Sequence, residues 1–202
     1  MTDIISVDKK RSKILLEHRE PFVLYNGEIR RYHIEKASEI SEEMLQTIYK
    51  EVLQKRVKER VLHILQSMDR TEYEIRDKLK KGYYPEEIIE YAVEFLKKYN
   101  YIDDQRYAQN YINACKGKKS RKIIQQSLYL KGISKEIAEE AFELLEDNMT
   151  EGDERAIIYT LLEKRKYKYE AADSKEKNRT AAFLLRKGFE MEDIIHCMRN
   201  QP

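Results

Sequence analysis

The chain has 202 residues, enough for one or two ordinary domains with a real core. Apolar residues make up 41% and charged ones 38%, with six glycines and three prolines, a mixture that suits a helix-rich protein with salt-bridged outer faces and argues against long loops. Thirty-nine basic residues against 37 acidic ones leave a formal charge of +2, so net charge alone names no partner.

Residues 1–40 read as a β appendage. Ile4-Ile5-Ser6-Val7, Lys13-Ile14-Leu15-Leu16 and Phe22-Val23-Leu24-Tyr25 are short β-prone runs. Asn26-Gly27 then joins the last of them to Glu28-Ile29-Arg30-Arg31-Tyr32-His33-Ile34 with the strongest two-residue hairpin signal. A small antiparallel sheet of three strands is expected, too small to be stable unless it packs on a helix. Residues 41–56 form a connecting helix, opened by Ser41-Glu42-Glu43 and striped by Leu45, Ile48, Tyr49, Val52 and Leu53. Val57, Val61, Leu62, Ile64, Leu65 and Met68 renew the stripe. Periodicity leaves open whether this is one long helix or two, broken near Gln54 to Lys58.

From there the pattern predicts three groups of three helices: about 57–68, 72–81 and 85–99; about 104–116, 121–131 and 135–147; about 152–167, 175–187 and 191–199. Thr71 with Glu74 and Asp173 with Glu176 are spaced as capping boxes, and Pro85 sits where a helix start accepts proline. Each group repeats one phrase: an amphipathic helix ending in Leu, then Lys-Gly and an apolar residue, then a fresh helix. The copies are Leu79 to Tyr83, Leu128 to Ile133 and Leu184 to Phe189, with Gly82, Gly132 and Gly188 spaced 50 and then 56 residues apart. Lys-Gly is also a common helix stop, but that alone does not explain the apolar residue and new amphipathic helix that follow each time. The repeats are set at 57–102, 103–148 and 149–202. Each buries six to eight large side chains at roughly 1.5–3 kcal/mol apiece, about the ordering entropy it must offset. Contact between neighbours should therefore matter. The fold expected is mainly α: tandem three-helix repeats in an elongated, curved array, behind a small N-terminal antiparallel β-hairpin or sheet.

Asn100-Tyr101-Ile102-Asp103-Asp104-Gln105-Arg106-Tyr107-Ala108 resembles the G-[YL]-[IL]-[DN]-D-x-R-[FY]-A stretch of the RecX family, regulators of the bacterial RecA recombinase. Val61-Leu62-x-x-Leu65 with Arg70-Thr71-x-x-Glu74-Ile75-x-x-Lys78-Leu79 is similar to that family's opening segment. Leu128-x-x-Lys131-Gly132-Ile133 is similar to its second glycine stop. The resemblance covers residues 56 to 200 and is weaker in the third repeat. Repeat one is a residue short between Leu79 and Gly82, Ser120-Arg121 replaces a frequent Gly-Pro, and Asn100 stands where glycine is usual. The resemblance implies three tandem three-helix units without catalysis or cofactor. It also implies binding in the groove of a RecA–DNA filament, so that ATP hydrolysis and strand exchange are dampened; a monomer is expected. The rival reading is an independent helical-repeat protein that binds DNA or RNA directly.

Apart from the family, charge distribution marks where a partner would bind. Residues 117–131 hold Lys118, Lys119, Arg121, Lys122 and Lys131 and no acid. Residues 164–187 hold nine basic residues (Lys164, Arg165, Lys166, Lys168, Lys175, Lys177, Arg179, Arg186 and Lys187) against three acidic ones. Lysine and arginine interleaved with Tyr167 and Tyr169 suit phosphates and bases, or an acidic protein surface; for any single lysine a solvated helix face is the simpler account. The first cluster lies at a helix start, where cations oppose the dipole, a cost more easily understood if an anion is to be met. Asp103 and Asp104 are expected to cap a helix rather than to form a metal or acid–base pair. Cys115 reads as a buried thiol, Cys197 belongs to no metal-binding spacing, and His18, His33, His63 and His196 are scattered. No run reaches the ~18 apolar residues that cross a bilayer, and Met1-Thr2-Asp3 lacks the order of a secretory signal. A cytoplasmic protein without membrane contact is expected.

Overall fold

The computed structural model describes residues 2–145 and 151–200, with side chains in the second stretch from Glu154 onward. The chain divides after Asp103 into two compact units.

The first unit opens with an antiparallel sheet in the order β1 (Thr2–Ser6), β2 (Arg11–Leu16) and β3 (Phe22–Tyr25). Its register sets Ile4 opposite Ile14 and Ile14 opposite Phe22, which gathers the apolar side chains on one face. Beyond β3 the expected hairpin is absent. Asn26–Arg31 is instead a short helix, α1. The reason is that the Asn-Gly pair has other partners: the Asn26 amide donates to the Lys10 carbonyl at 2.9 Å, and its side chain bonds the Lys9 carbonyl and the Ser12 hydroxyl. Glu28 then accepts from the Tyr25 amide at 2.7 Å, starting a helix where a returning strand was expected.

Helix α2 (Glu42–Ile48), capped by the Ser41 hydroxyl, runs through a π-helical stretch at Tyr49–Leu53 into α3 (Gln54–Leu65). One continuous helix thus resolves the alternative left open by periodicity. The π turn keeps Tyr49, Val52 and Leu53 all inward, and Tyr49 meets Phe22 edge-on with ring centroids 5.7 Å apart. Helices α4 (Glu72–Lys81) and α5 (Glu86–Lys98) complete the unit, α4 starting on the expected Thr71–Glu74 capping box. Ile14, Phe22 and Leu24 of the sheet share one core with Val57, Leu79 and Leu96, which supplies the helical support that three short strands need.

The second unit holds α6 (Asp104–Cys115), α7 (Arg121–Leu130) and α8 (Lys135–Leu144) around Ile112, Ile124, Leu128 and Phe142. It also holds α9 (Glu151–Lys164), α10 (Ser174–Leu185) and α11 (Met191–Arg199) around Ile158, Leu162, Leu184 and Ile194. The helices of all three groups begin and end within three residues of expectation. The expected end of α8 at 146–147 lies outside the described residues. Cys115 is buried, as expected, and so is Cys197.

What ends these helices differs from the Lys-Gly reading. Gly132 and Gly188 take positive φ (81° and 89°), but in the first repeat Tyr83 does so at 58° while Gly82 stays at −84°. The turns are counted from the buried leucine. The left-handed residue comes four after it, and the next amide donates back to the leucine carbonyl: Tyr84 to Leu79, Ile133 to Leu128 and Phe189 to Leu184. Leu96 with Asn100 and Tyr101, and Leu162 with Lys166 and Tyr167, close the same ring. This is the Schellman geometry, in which the apolar residue after the turn packs back on the leucine. The missing residue in repeat one therefore moves the glycine out of the left-handed position, and a tyrosine takes it.

Candidate partner-binding surface

The two basic clusters, far apart in sequence, meet in the second unit. The turn after α10 lies against the start of α7: the Ser120 amide donates to the Lys187 carbonyl at 3.0 Å, and the Lys187 ammonium donates to the Lys118 carbonyl at 3.0 Å. Gly188 makes this approach feasible, since a Cβ there would lie 2.0 Å from Ile123 Cγ1 and 2.4 Å from the Ser120 hydroxyl.

At that helix start, acids from within the chain meet one of the cations and one of the free amides. The Arg121 amide donates to Glu154 at 3.1 Å, and Lys122 pairs with Glu190 at 2.8 Å. Glu190 holds the Lys122 ammonium above its usual pKa, chiefly through that hydrogen bond. Burial pushes the Glu154 carboxyl up; the amide hydrogen bond from Arg121 opposes the shift, and the nearby Asp193 and Glu190 add to it. Asp193, buried, is held by Arg155 at 2.6 Å. Arg121 lays its guanidinium over the Phe142 ring at 4.3 Å, so it belongs to the packing of its own repeat.

Phe183 is the residue that draws the second cluster together, and the charge runs gave no hint of it. Arg165 stacks on its ring at 4.4 Å and Lys187 at 5.2 Å, so that cations from the two ends of the second run share one aromatic. Beside Arg165 opens a cavity of about 450 Å³ lined by Arg165, Tyr167, Asp173, Lys175, Glu176 and Arg179. Asp173 is occupied in capping α10, accepting from the Glu176 amide at 2.7 Å. Among the described residues the Tyr167 hydroxyl has no hydrogen-bond partner although the residue is 4% exposed. A buried hydroxyl without a partner costs about 1–3 kcal/mol, and a ligand oxygen in this cavity would relieve that cost. Lys164, Lys166, Lys168 and Arg186 are exposed, with Lys166 in the left-handed turn before Tyr167.

The remaining predicted residues lean on tyrosines. Lys119 lies over Tyr111 at 5.7 Å, Lys131 over Tyr107 at 5.5 Å and Lys177 over Tyr169 at 4.0 Å. On α7, Tyr129 and Leu130 are 73% and 72% exposed, and Tyr129 lines a cavity of about 340 Å³ with Ile133 and Ala138. Large apolar side chains so exposed are a feature of protein interfaces. Among the described residues no helix is long and apolar enough to cross a membrane, and no group of three or more His, Cys, Asp or Glu could hold a metal ion.

Comparison with known proteins matches residues 58–96, 103–141 and 153–198 to the first, second and third three-helix domains of RecX. The chain is 32% identical to the regulatory protein RecX of Clostridium beijerinckii over 191 residues, spanning 92% of this chain and 86% of that one. It is 30% identical to the Clostridium acetobutylicum protein of the same name, spanning 95% and 90%. A crystal structure of RecX from Lactobacillus salivarius, 27% identical, covers 73% of this chain and 95% of its own with a TM-score of 0.57. A crystal structure of a regulatory protein RecX, 24% identical, shares the fold with a TM-score of 0.59 over 99% of this chain.

Proposed function

The chain belongs to the RecX family of regulatory proteins, and on that premise we propose that it is a non-enzymatic, negative modulator of the RecA recombinase. It binds as a monomer in the groove of the RecA–DNA filament and damps ATP hydrolysis and strand exchange. That filament forms on cytoplasmic DNA, which sets the compartment. The observation that supports this reading best is the meeting of two basic clusters on the second unit, with Arg165, Lys175 and Arg179 around the unpartnered Tyr167 hydroxyl. Such a surface suits an assembly that presents phosphates and acidic protein together. Exposed Tyr129 and Leu130 suit the protein part of that contact.

The test is the DNA-dependent ATPase of RecA. Substoichiometric protein slows it, and Lys175→Ala with Arg179→Ala weakens the inhibition and flattens its salt dependence while helicity stays the same. If excess naked DNA abolishes the inhibition while filaments are left untouched, and Lys175→Ala with Arg179→Ala inhibits as well as the unaltered protein, the protein acts by coating DNA and the rival reading holds.

A further inference from the structure

A large cavity lies in the first unit, where neither charge run falls. About 660 Å³ in volume, it is lined by Arg11, Arg56, Arg60, Lys78 and Lys81 together with Tyr25, Tyr83 and Tyr84. A second cavity of about 380 Å³ shares Arg60 and Lys78 and extends the lining to His63 and Arg70. Arg56, Arg60 and His63 follow one another at helical spacing, a stripe that rises about 10 Å along α3.

Local acids already hold several of these cations. Arg56 bonds Glu28, Arg11 pairs with Asp8 at 2.7 Å, Lys81 with Asp77 at 2.6 Å, and Arg70 stands 3.8 Å from Glu74. Arg60 and Lys78, the two that both cavities share, have no acidic partner among the described residues; one acid, Glu59, stands in the lining. Arg70 adds a buried Nε with no hydrogen-bond partner. Two free charges at the junction of two cavities mark a track for a chain of anions, more than a pocket for a single one.

Aromatic faces stand along the same track. Tyr25 and Tyr83 are 44% and 42% exposed, one held by the Arg56 guanidinium at 4.8 Å and the other by the Lys13 ammonium at 4.1 Å. Tyr83 reaches the rim through the left-handed turn that ends α4. Half-buried Tyr84 lines the same cavity and remains a neutral phenol, because burial pushes its pKa up despite Arg56, Arg60 and Arg11 nearby. Its hydroxyl is available to donate.

We propose that this groove between β3, α3 and the α4–α5 turn binds a single strand of nucleic acid, with Arg60 and Lys78 on successive phosphates and Tyr83 or Tyr25 under a base. Strand binding here needs no recombinase, so it stands apart from the function proposed for the second unit. Clustered cations beside aromatic faces are the chemistry that strand-binding grooves share.

The test uses the full chain and a fluorescent oligo-dT without recombinase, read by anisotropy over a salt series. Each phosphate contact contributes about 0.7 to the slope of log affinity against log salt, so Arg60→Ala with Lys78→Ala should flatten it by about 1.4. Tyr83→Leu should weaken binding roughly fivefold or more without changing that slope. Lys50→Ala with Lys98→Ala, on exposed residues that line neither cavity and belong to neither basic cluster, is the charge-matched control. In the unaltered protein, bound strand should shield Lys78 from acetylation but leave Lys50 reactive, a readout independent of how any variant folds. The proposal is overturned if the control flattens the slope as much as the groove variant, or if Lys78 acetylates equally with and without strand. It is also overturned if an oligo-glutamate of equal charge binds as tightly and responds equally to Tyr83→Leu.

Discussion

Replacing Gly188 with alanine tests whether the third repeat is built onto the second. Its φ of +89° is one that an L side chain adopts at a cost of about 1–2 kcal/mol. The new Cβ would lie 2.0 Å from Ile123 Cγ1 and 2.4 Å from Ser120 Oγ, and no rotamer change of alanine relieves that. Pushing those groups apart adds about 1–3 kcal/mol of overpacking. The displaced Ser120 hydroxyl is also the α7 cap, accepting from the Ile123 amide, and losing it adds about 1 kcal/mol. The sum, about 3–5 kcal/mol after the entropy that alanine removes from the unfolded chain, is a large share of the 5–15 kcal/mol typical of a domain.

Gly117 supplies the control. It too has positive φ, +67°, but no atom lies within 4 Å of a Cβ built there. Gly117→Ala should cost about 1 kcal/mol or less, and the difference between the two variants isolates the contact between repeats. Thermal unfolding followed by circular dichroism or calorimetry reads the difference, at about 4–8 °C per kcal/mol for a unit of this size. Gly188→Ala should lower the transition of the second unit by 10 °C or more, to an order of magnitude, and Gly117→Ala by only a few degrees. Equal shifts would mean that Gly188 is a helix stop and nothing else, and the junction between the basic clusters would lose its structural basis.

Four further outcomes follow from the second unit. Arg155→Ala strands the buried Asp193 carboxylate and should destabilise by about 1–3 kcal/mol in urea unfolding, the partial exposure of Arg155 keeping it below a fully buried pair. Lys166→Gly removes a left-handed lysine and should stabilise by about 0.5–1 kcal/mol in the same assay, although it deletes a charge and adds flexibility. Tyr167→Phe deletes an unpartnered buried hydroxyl, so stability should hold or rise slightly; if filament binding holds as well, the hydroxyl is no part of the site. Glu154 sets a pH dependence: its folded pKa is raised, so its contribution is fullest below the unfolded value near 4.5 and is lost as pH rises through the folded value. Glu154→Gln, which still accepts from the Arg121 amide, should remove that loss, and an unchanged stability profile between pH 4 and neutrality would refute the assignment.

How much of this could be read from the sequence depends on the range of each interaction. The helices were legible because their signals are local: apolar periodicity, Ser and Thr caps, and Pro85 at a start. The Asn26-Gly27 hairpin failed for the opposite reason. Its turn propensity was overruled by hydrogen bonds to Lys9, Lys10 and Ser12 and by the pairing of Glu28 with Arg56, partners that all lie far from it in sequence. The π turn at Tyr49–Leu53 was likewise invisible, since it answers to the sheet packed beneath it.

The candidate surface divides along the same line. Both charge runs were plain in the sequence, but their meeting through Ser120, Lys187 and Gly188 is a tertiary fact. The groove of the first unit was missed because its cations are single letters spread over β2, α3 and α4, never a run. The stops carry the same lesson further. Glycine looked like the invariant of the repeat, yet in five turns the constant is a buried leucine whose carbonyl accepts from the fifth residue on. Glycine is needed only where something crowds the turn. At Gly188 that is Ser120 and Ile123 of the neighbouring repeat; at Tyr83 the rim is open, so a large side chain can bear the cost of positive φ and stand at the mouth of a cavity.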